Sequence, residues 1–301
     1  MCYSIIRAVF LGWLIGGGLM SAVAHAATEI LSLNSTSLKE MTLESIPPWP
    51  DDMVLSGTNE HRQKILHEGE FVIALYEAMP ATIDVAIPYT YDEYVLVLEG
   101  SVVLTSSEGV RQEYQTGDQF LVPEGWTGTW EMPSRFRELI VVESEQWEAS
   151  DSLLASLFAG PKNSEYGAPA VLPLLADALQ QTELDSLPPW PDGVVITGAN
   201  AHGQKVLHEG QLVSVLYGAE AALLEVGAPF PYDEYVFVIE GEVILTTKGG
   251  SPKTFGAGDS FLVPKGWTGT WDMPVKYREK IIVETKAWNI DEGLQSEEAW
   301  R

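Results

Sequence analysis

Apolar and polar residues along this chain change over in short runs, not in helical periods. Lys64 to Tyr76, Glu93 to Leu98, Ser101 to Thr105, Gln119 to Val122 and Glu138 to Val142 are rich in Val, Ile, Leu, Phe and Tyr. Turn signals punctuate them at Glu99-Gly100, Glu108-Gly109, Thr116-Gly117-Asp118 and Pro123-Glu124-Gly125. Many short strands closed by Gly and Pro turns predict an all-β barrel or jelly roll. Continuous runs such as Val95-Leu96-Val97-Leu98 predict strands buried on both faces. Helical spacing of Leu and Ala is confined to Asp151–Gly160 and Val171–Gln181. The N-terminus differs: Arg7 precedes an apolar stretch from Ala8 to Met20 and an Ala24-His25-Ala26 ending. That order reads as a secretory signal peptide cleaved after Ala26. The competing reading, a membrane anchor, needs about 20 apolar residues, and this stretch is shorter and broken by Gly16, Gly17 and Gly18.

The strand pattern is written twice. Ser45-Ile46-Pro47-Pro48-Trp49-Pro50-Asp51 returns as Ser186-Leu187-Pro188-Pro189-Trp190-Pro191-Asp192, an offset of 141 residues. The same offset carries Leu66-His67-Glu68-Gly69 to Leu207-His208-Glu209-Gly210, and Tyr91-Asp92-Glu93-Tyr94 to Tyr232-Asp233-Glu234-Tyr235. It also carries Trp126-Thr127-Gly128-Thr129-Trp130 to Trp267-Thr268-Gly269-Thr270-Trp271. A period this long is a duplicated domain, because solenoid units run roughly 20–50 residues. The expected organisation is a signal at 1–26, a first domain at 27–150, a partly helical linker at 151–182, a second domain at 183–290 and a polar tail at 291–301. The PPWP segment opening each unit lacks amide donors at its prolines and reads as a rigid arm across a sheet.

Composition narrows the partners. The 301 residues carry 43 acidic and 17 basic side chains, a formal charge of −26. Loss of Arg7 with the signal leaves 16 basic residues and a charge of −27. This excludes nucleic acid, whose binding needs Lys and Arg to displace counterions, and disfavours acidic membrane surfaces. A hydrophobic content of 46% with ten Trp is that of a folded chain. The single Cys2 lies within the signal, not at its end where a lipid would be attached, so the mature chain has neither a disulfide nor thiol chemistry. The expected partner is a small molecule, with no stable membrane anchor after cleavage.

The turns carry a family resemblance. Glu93 with Gly100, then Gly117 with Pro123-x-Gly125, resembles the two motifs of the cupins, and Glu234, Gly241, Gly258 and Pro264-x-Gly266 repeat the frame. GDQFLVPEGWTGTWEMP and its second copy GDSFLVPKGWTGTWDMP look like the cupin branch typified by ureidoglycine aminohydrolase, to which an ethanolamine-utilisation cupin is related. The resemblance implies two tandem cupin (double-stranded β-helix, jelly-roll) barrels, and it allows a homodimer. It does not extend to the metal site. Typical cupins have histidines four and six residues before the motif-one Glu and three after the motif-two Gly. Those places hold Tyr89, Ile87 and Gly128 here, and Phe230, Ala228 and Gly269 in the second copy. One Glu per barrel does not make a transition-metal site, which takes three or four donors. No metal and no cofactor is expected.

Candidate site residues follow. Glu93 and Glu234 occupy the position that in cupins points into the barrel, where a buried carboxyl has a raised pKa and can shuttle protons near neutral pH; a strand-edge carboxylate bonded to a backbone amide or an Arg is the structural alternative. His67 and His208 are the imidazoles best placed in sequence to join them, against a turn-forming role; His61 and His202 are the other repeated pair. Trp126, Trp130, Trp267 and Trp271 bracket the glycine that replaces the expected histidine. They would form an aromatic wall for a flat or carbohydrate-like ligand, or fill the core. Tyr91 and Tyr232 would add a hydroxyl, and Arg137 and Arg278 a bidentate clamp if they face inward. Asp92 and Asp233 point the other way and read as solvated or turn-forming.

Two functions fit these residues. One is a periplasmic or secreted enzyme doing metal-independent acid–base chemistry on a small polar metabolite, as an isomerase, lyase or C–N hydrolase. The other is a non-catalytic small-molecule binding or accessory protein with aromatic-lined barrels.

Overall fold

The computed structural model describes residues 29–147 and 169–294. The signal read at 1–26, the helical spacing at Asp151–Gly160 and most of the polar tail lie outside them. The chain separates into two compact units. One holds Ser35–Leu179 together with Gly210–Leu212. The other holds the residues up to Asn34, then Gln180–Glu209 and Val213 onward.

In the first unit a seven-stranded sheet runs in the order Leu172–Pro173, Gln119–Val122, Glu93–Glu99, Phe136–Glu143, Phe71–Ala78, His61–Glu68, Glu44–Ser45. A five-stranded sheet runs Val54–Gly57, Ala81–Val85, Gly128–Met132, Ser101–Ser106, Arg111–Gln115. All pairings in these sheets are antiparallel. The second unit repeats both sheets. This is the expected jelly roll, built twice.

The inward faces make one core per barrel. In Phe71–Ala78, Val72, Ala74 and Ala78 join the first core while Phe71, Ile73 and Leu75 are buried on the other side, which is why the strand reads as an unbroken apolar run. Lys64 to Tyr76 is not one strand but a hairpin, turned at Gly69, whose N–H donates to the Phe71 carbonyl. Val171–Gln181 is helical only at Ala176–Gln181; Leu172–Pro173 ahead of it is a strand.

The short strands preceding each repeat change places. Leu31–Ser32 stands before the first repeat yet pairs with the second unit, Leu31 opposite Leu262 and Ser32 opposite Phe261. Leu172–Pro173, its counterpart at the 141-residue offset, pairs with the first, Leu172 opposite Leu121 and Pro173 opposite Phe120. Ile30 belongs to the second core and Val171 to the first. The domain boundaries read from the repeats therefore do not coincide with the packed units. Among the described residues no helix is long and apolar enough to cross a membrane.

Truncating a buried Ile to Ala costs about 2–5 kcal/mol. Ile30→Ala is expected to lower stability by that amount and, in hydrogen-exchange mass spectrometry, to lose protection at Ser260–Val263 while Gln119–Val122 keeps its own.

Candidate active site

The site is set by one strand pair. In the first barrel Val142 lies opposite Glu93, Ile140 opposite Val95 and Glu138 opposite Val97. Alternate residues share a face, and Val95, Val97, Ile140 and Val142 are in the core. Glu93 and Glu138 therefore both point inward, 7% and 3% exposed. Glu234 and Glu279 take the same places in the second barrel, at 1% and 2%, beside inward Val236, Val238 and Ile281.

Desolvation dominates their chemistry. Burial pushes Glu93 up to about 8, and burial plus the charge of Glu93 drives Glu138 well above the usual carboxylate range. In the second barrel Glu279 is pushed up to about 8 by burial, and burial plus the charge of Glu279 holds Glu234 well above the usual carboxylate range. Two carboxyls sharing an apolar space do not both ionise at neutral pH. Each pair is a proton reservoir, one acid beside one incipient base.

Tyrosines complete the lining. Tyr76 lies opposite Glu138 in the register. Tyr76, Tyr89 and Tyr91 all have hydroxyl pKa values raised by burial and by both carboxyls, so they stay protonated. Tyr89 and Tyr91 meet edge to face at 5.4 Å, and Trp126 backs Tyr89 at 5.9 Å.

Behind Tyr76 stands a histidine, but His61, not His67. His61 Nδ1 is 2.7 Å from the Tyr76 hydroxyl, and its ring stacks on Trp49 at 4.1 Å. His202, Tyr217 and Trp190 repeat this at 3.1 Å and 4.1 Å. There Nε2 faces the Pro188 carbonyl at 2.7 Å. A carbonyl only accepts, so Nε2 carries the proton, and Nδ1 of the neutral ring accepts from Tyr217. Burial lowers both imidazole pKa values, which keeps them neutral. With its hydrogen given to the imidazole, the tyrosine oxygen can act toward its other neighbours only as an acceptor. The PPWP arm has a use: Asn59 donates to the Trp49 carbonyl at 2.7 Å and accepts from its N–H at 2.9 Å, fixing the indole over His61, and Asn200 does so for Trp190.

Several expected site residues lie elsewhere. A bulge between Ile65 and His67 turns His67 opposite Ile73, on the outward face, where it is half-exposed against Phe71; His208 follows, opposite Ser214. Neither joins the carboxyls. Arg137 also faces out, because it alternates with inward Glu138. Its guanidinium donates to the carbonyls of Lys39 and Met41, capping the helix Ser35–Glu40. Arg278 caps Ala176–Gln181 through Gln180 at 2.6 Å and Thr182 at 3.0 Å. Trp126, Trp130, Trp267 and Trp271 are core side chains, 1%, 6%, 0% and 4% exposed. Gly128 opens no space: a Cβ there would collide with the Thr105 carbonyl and come 2.8 Å from the Trp126 ring, and Gly269 is closed by Thr246 and Trp267 alike. Tyr91 lies within the field of Glu93, and Tyr232 packs on Trp288. Asp92 and Asp233 are not solvated; each accepts a turn amide, from Glu124 at 2.9 Å and Lys265 at 2.8 Å.

The model for the EutQ-like cupin domain matches residues 68–137 and 226–281, one segment in each barrel. No curated protein matches the chain. Among solved structures, a protein of unknown function of the DUF861 family from Pseudomonas syringae pv. tomato superposes with a TM-score of 0.60 at 18% identity, covering 86% of this chain and all of its own. A cupin 2 conserved barrel domain protein from Leptotrichia buccalis superposes at 0.51 and 14% identity, covering 88% of this chain and all of its own. Both barrels are cupin barrels.

The fold implies a metal, and the residues do not fit one. Where a histidine would follow the motif-two glycine, the Gly128 backbone is covered by Trp126. Tyr89, at one of the expected histidine places, is flanked by the rings of Tyr91 and Trp126. Among the described residues no group of three or more His, Cys, Asp or Glu is placed to hold a metal ion.

Because Glu93 is raised from 4.5 to about 8, the folded chain keeps a proton that the unfolded chain has released. Its stability therefore falls as pH rises across that window and levels off above it. In Glu93→Gln that component is gone. The fall in unfolding free energy from pH 5 to pH 8 should shrink by at least about 1.4 kcal/mol, one pKa unit's worth, in urea titrations at the two pH values. Gly128→Ala should destabilise by about 1–3 kcal/mol through overpacking, read the same way.

Proposed function

We propose that this chain is an exported enzyme that uses the carboxyl pair of a cupin barrel for metal-independent acid–base chemistry on a small polar metabolite. One observation carries the reading: two carboxyls on adjacent strands are buried in the same barrel interior, and the charge of Glu93 raises Glu138 so that the two do not both ionise at neutral pH. One member donates a proton while the other accepts one, which serves an isomerase, lyase or C–N hydrolase reaction. Tyr76, held by His61 at 2.7 Å, positions a hydroxyl against the pair. The ureidoglycine aminohydrolase-like branch is the cupin branch whose phrases the sequence shares. C–N chemistry is within reach of such a pair, the protonated carboxyl activating the substrate by proton donation while its partner accepts a proton. Export rests on the signal-like pattern of residues 1–26, and places the work in the periplasm or outside the cell.

The test is a screen of small amides, ureido compounds and hydroxy acids with protein dialysed against a chelator. Turnover should persist after chelation and fall at least a hundredfold in Glu93→Gln and in Glu138→Gln, since general acid–base catalysis is worth about 10²–10⁴-fold. Activity lost on chelation and restored by manganese, zinc or iron overturns it.

A further inference from the structure

We propose that the first barrel is built to receive a small organic ammonium ion at Glu93 and Glu138, and that the second barrel is not. This deepens the reading above by naming the charge class of the ligand. It rests on that reading for the location of the site.

The first barrel has an acidic interior without a basic partner. Arg137 is the one Lys or Arg of that unit buried among the described residues, and it is turned outward onto helix carbonyls and toward Glu77 at 3.7 Å. Arg135 is likewise spent on Glu77 at 2.6 Å. Glu138 Oε2 is buried and accepts no hydrogen bond. A buried acceptor in that state costs about 1–3 kcal/mol, which a ligand donor would recover. An anionic ligand would meet two carboxyls and no cation, so its binding is opposed. Among the described residues no third His, Cys, Asp or Glu stands with the pair to hold a metal ion. A primary ammonium carries three N–H donors at one end, enough for Glu93, Glu138 and one tyrosine oxygen. Its charge is favoured over the ring faces of Tyr89 and Tyr91.

The second barrel differs at the deciding positions. Tyr277 donates to Glu279 at 2.6 Å, where the first barrel has Phe136, which has no donor to offer. Tyr232 and Trp288 pack together, 0% and 4% exposed, whereas their counterparts Tyr91 and Trp147 are half-buried. The duplicated site has already satisfied one carboxyl internally; Glu234 Oε2 is buried without a hydrogen bond as well, but that carboxyl is closed off, 1% exposed against 7% for Glu93.

Isothermal titration of the full mature chain with propylammonium chloride at pH 7, alongside sodium propionate of similar size, decides the matter. Propylammonium should bind at one equivalent per chain with proton release, seen as a buffer-dependent enthalpy, and propionate should not bind. Glu138→Gln should weaken binding at least tenfold. Phe136→Tyr, which leaves both carboxyls in place but gives Glu138 a protein donor, should weaken it as well. Propionate binding equal to or tighter than propylammonium, two equivalents per chain, no propylammonium binding, or indifference to Glu138→Gln overturns the inference. Turnover that depends on Glu93 without propylammonium binding would sink this inference and leave the acid–base reading standing. Propylammonium binding without Glu93-dependent turnover would do the reverse.

Discussion

Alternation along Phe136–Glu143 governs what surrounds it. Adjacent residues on a strand point to opposite faces, so the dipeptide Arg137-Glu138 divides its charges between two environments. The guanidinium goes out, to the end of a short helix; the carboxyl goes in, to Glu93. Had the register of the strand slipped by one residue, the cation would sit in the barrel and the acid outside. The register shift recorded at Arg137/Glu138 lies at this switch. Desolvation of the inward acid then sets the remaining chemistry, because an unpaired carboxylate is costly in an apolar interior and a neutral acid is not.

The supports of the pair read outward from the core as a series of contacts. Tyr76 is held by His61, His61 by the face of Trp49, and Trp49 by Asn59. Each link has a second copy at the same offset, with His202, Trp190 and Asn200. The rigid proline arm thus fixes an imidazole that never touches the carboxyls, and its effect reaches them through one phenol. Two ring positions in the barrels differ between the copies. Tyr89 is replaced by Phe230, and Phe136 by Tyr277, so the hydroxyl count is preserved while its position moves.

The fold was legible because it is periodic: turn glycines and apolar runs recur at a fixed offset, and either copy predicts the barrel. Glu93 and Glu234 were legible from their place in a motif. Glu138 and Glu279 were not, although each lies in the sequence next to an arginine, Arg137 or Arg278. Choosing which of two adjacent charges faces inward requires the register of a strand whose apolar residues are buried on both faces, where the pattern is silent. His67 attracted attention by its nearness to a turn, and a one-residue bulge invisible in the sequence turned it outward. The tryptophans are core side chains: the glycine between them lets an indole lie on the backbone and does not open a pocket.

The exchanged strands bear on how the chain is made. Ser32 must wait for Phe261, 229 residues further on, whereas Leu172 finds Leu121 already synthesised. At about 5–20 residues per second, the N-terminal arm stays unpaired for roughly 10–45 s of synthesis. The sheets of the first barrel can fill from residues 44–173 alone, but the second must capture an arm made long before it. Folding order is thereby built into the duplication: the half translated last holds the segment translated first, and only a chain complete through its second barrel has both sheets full.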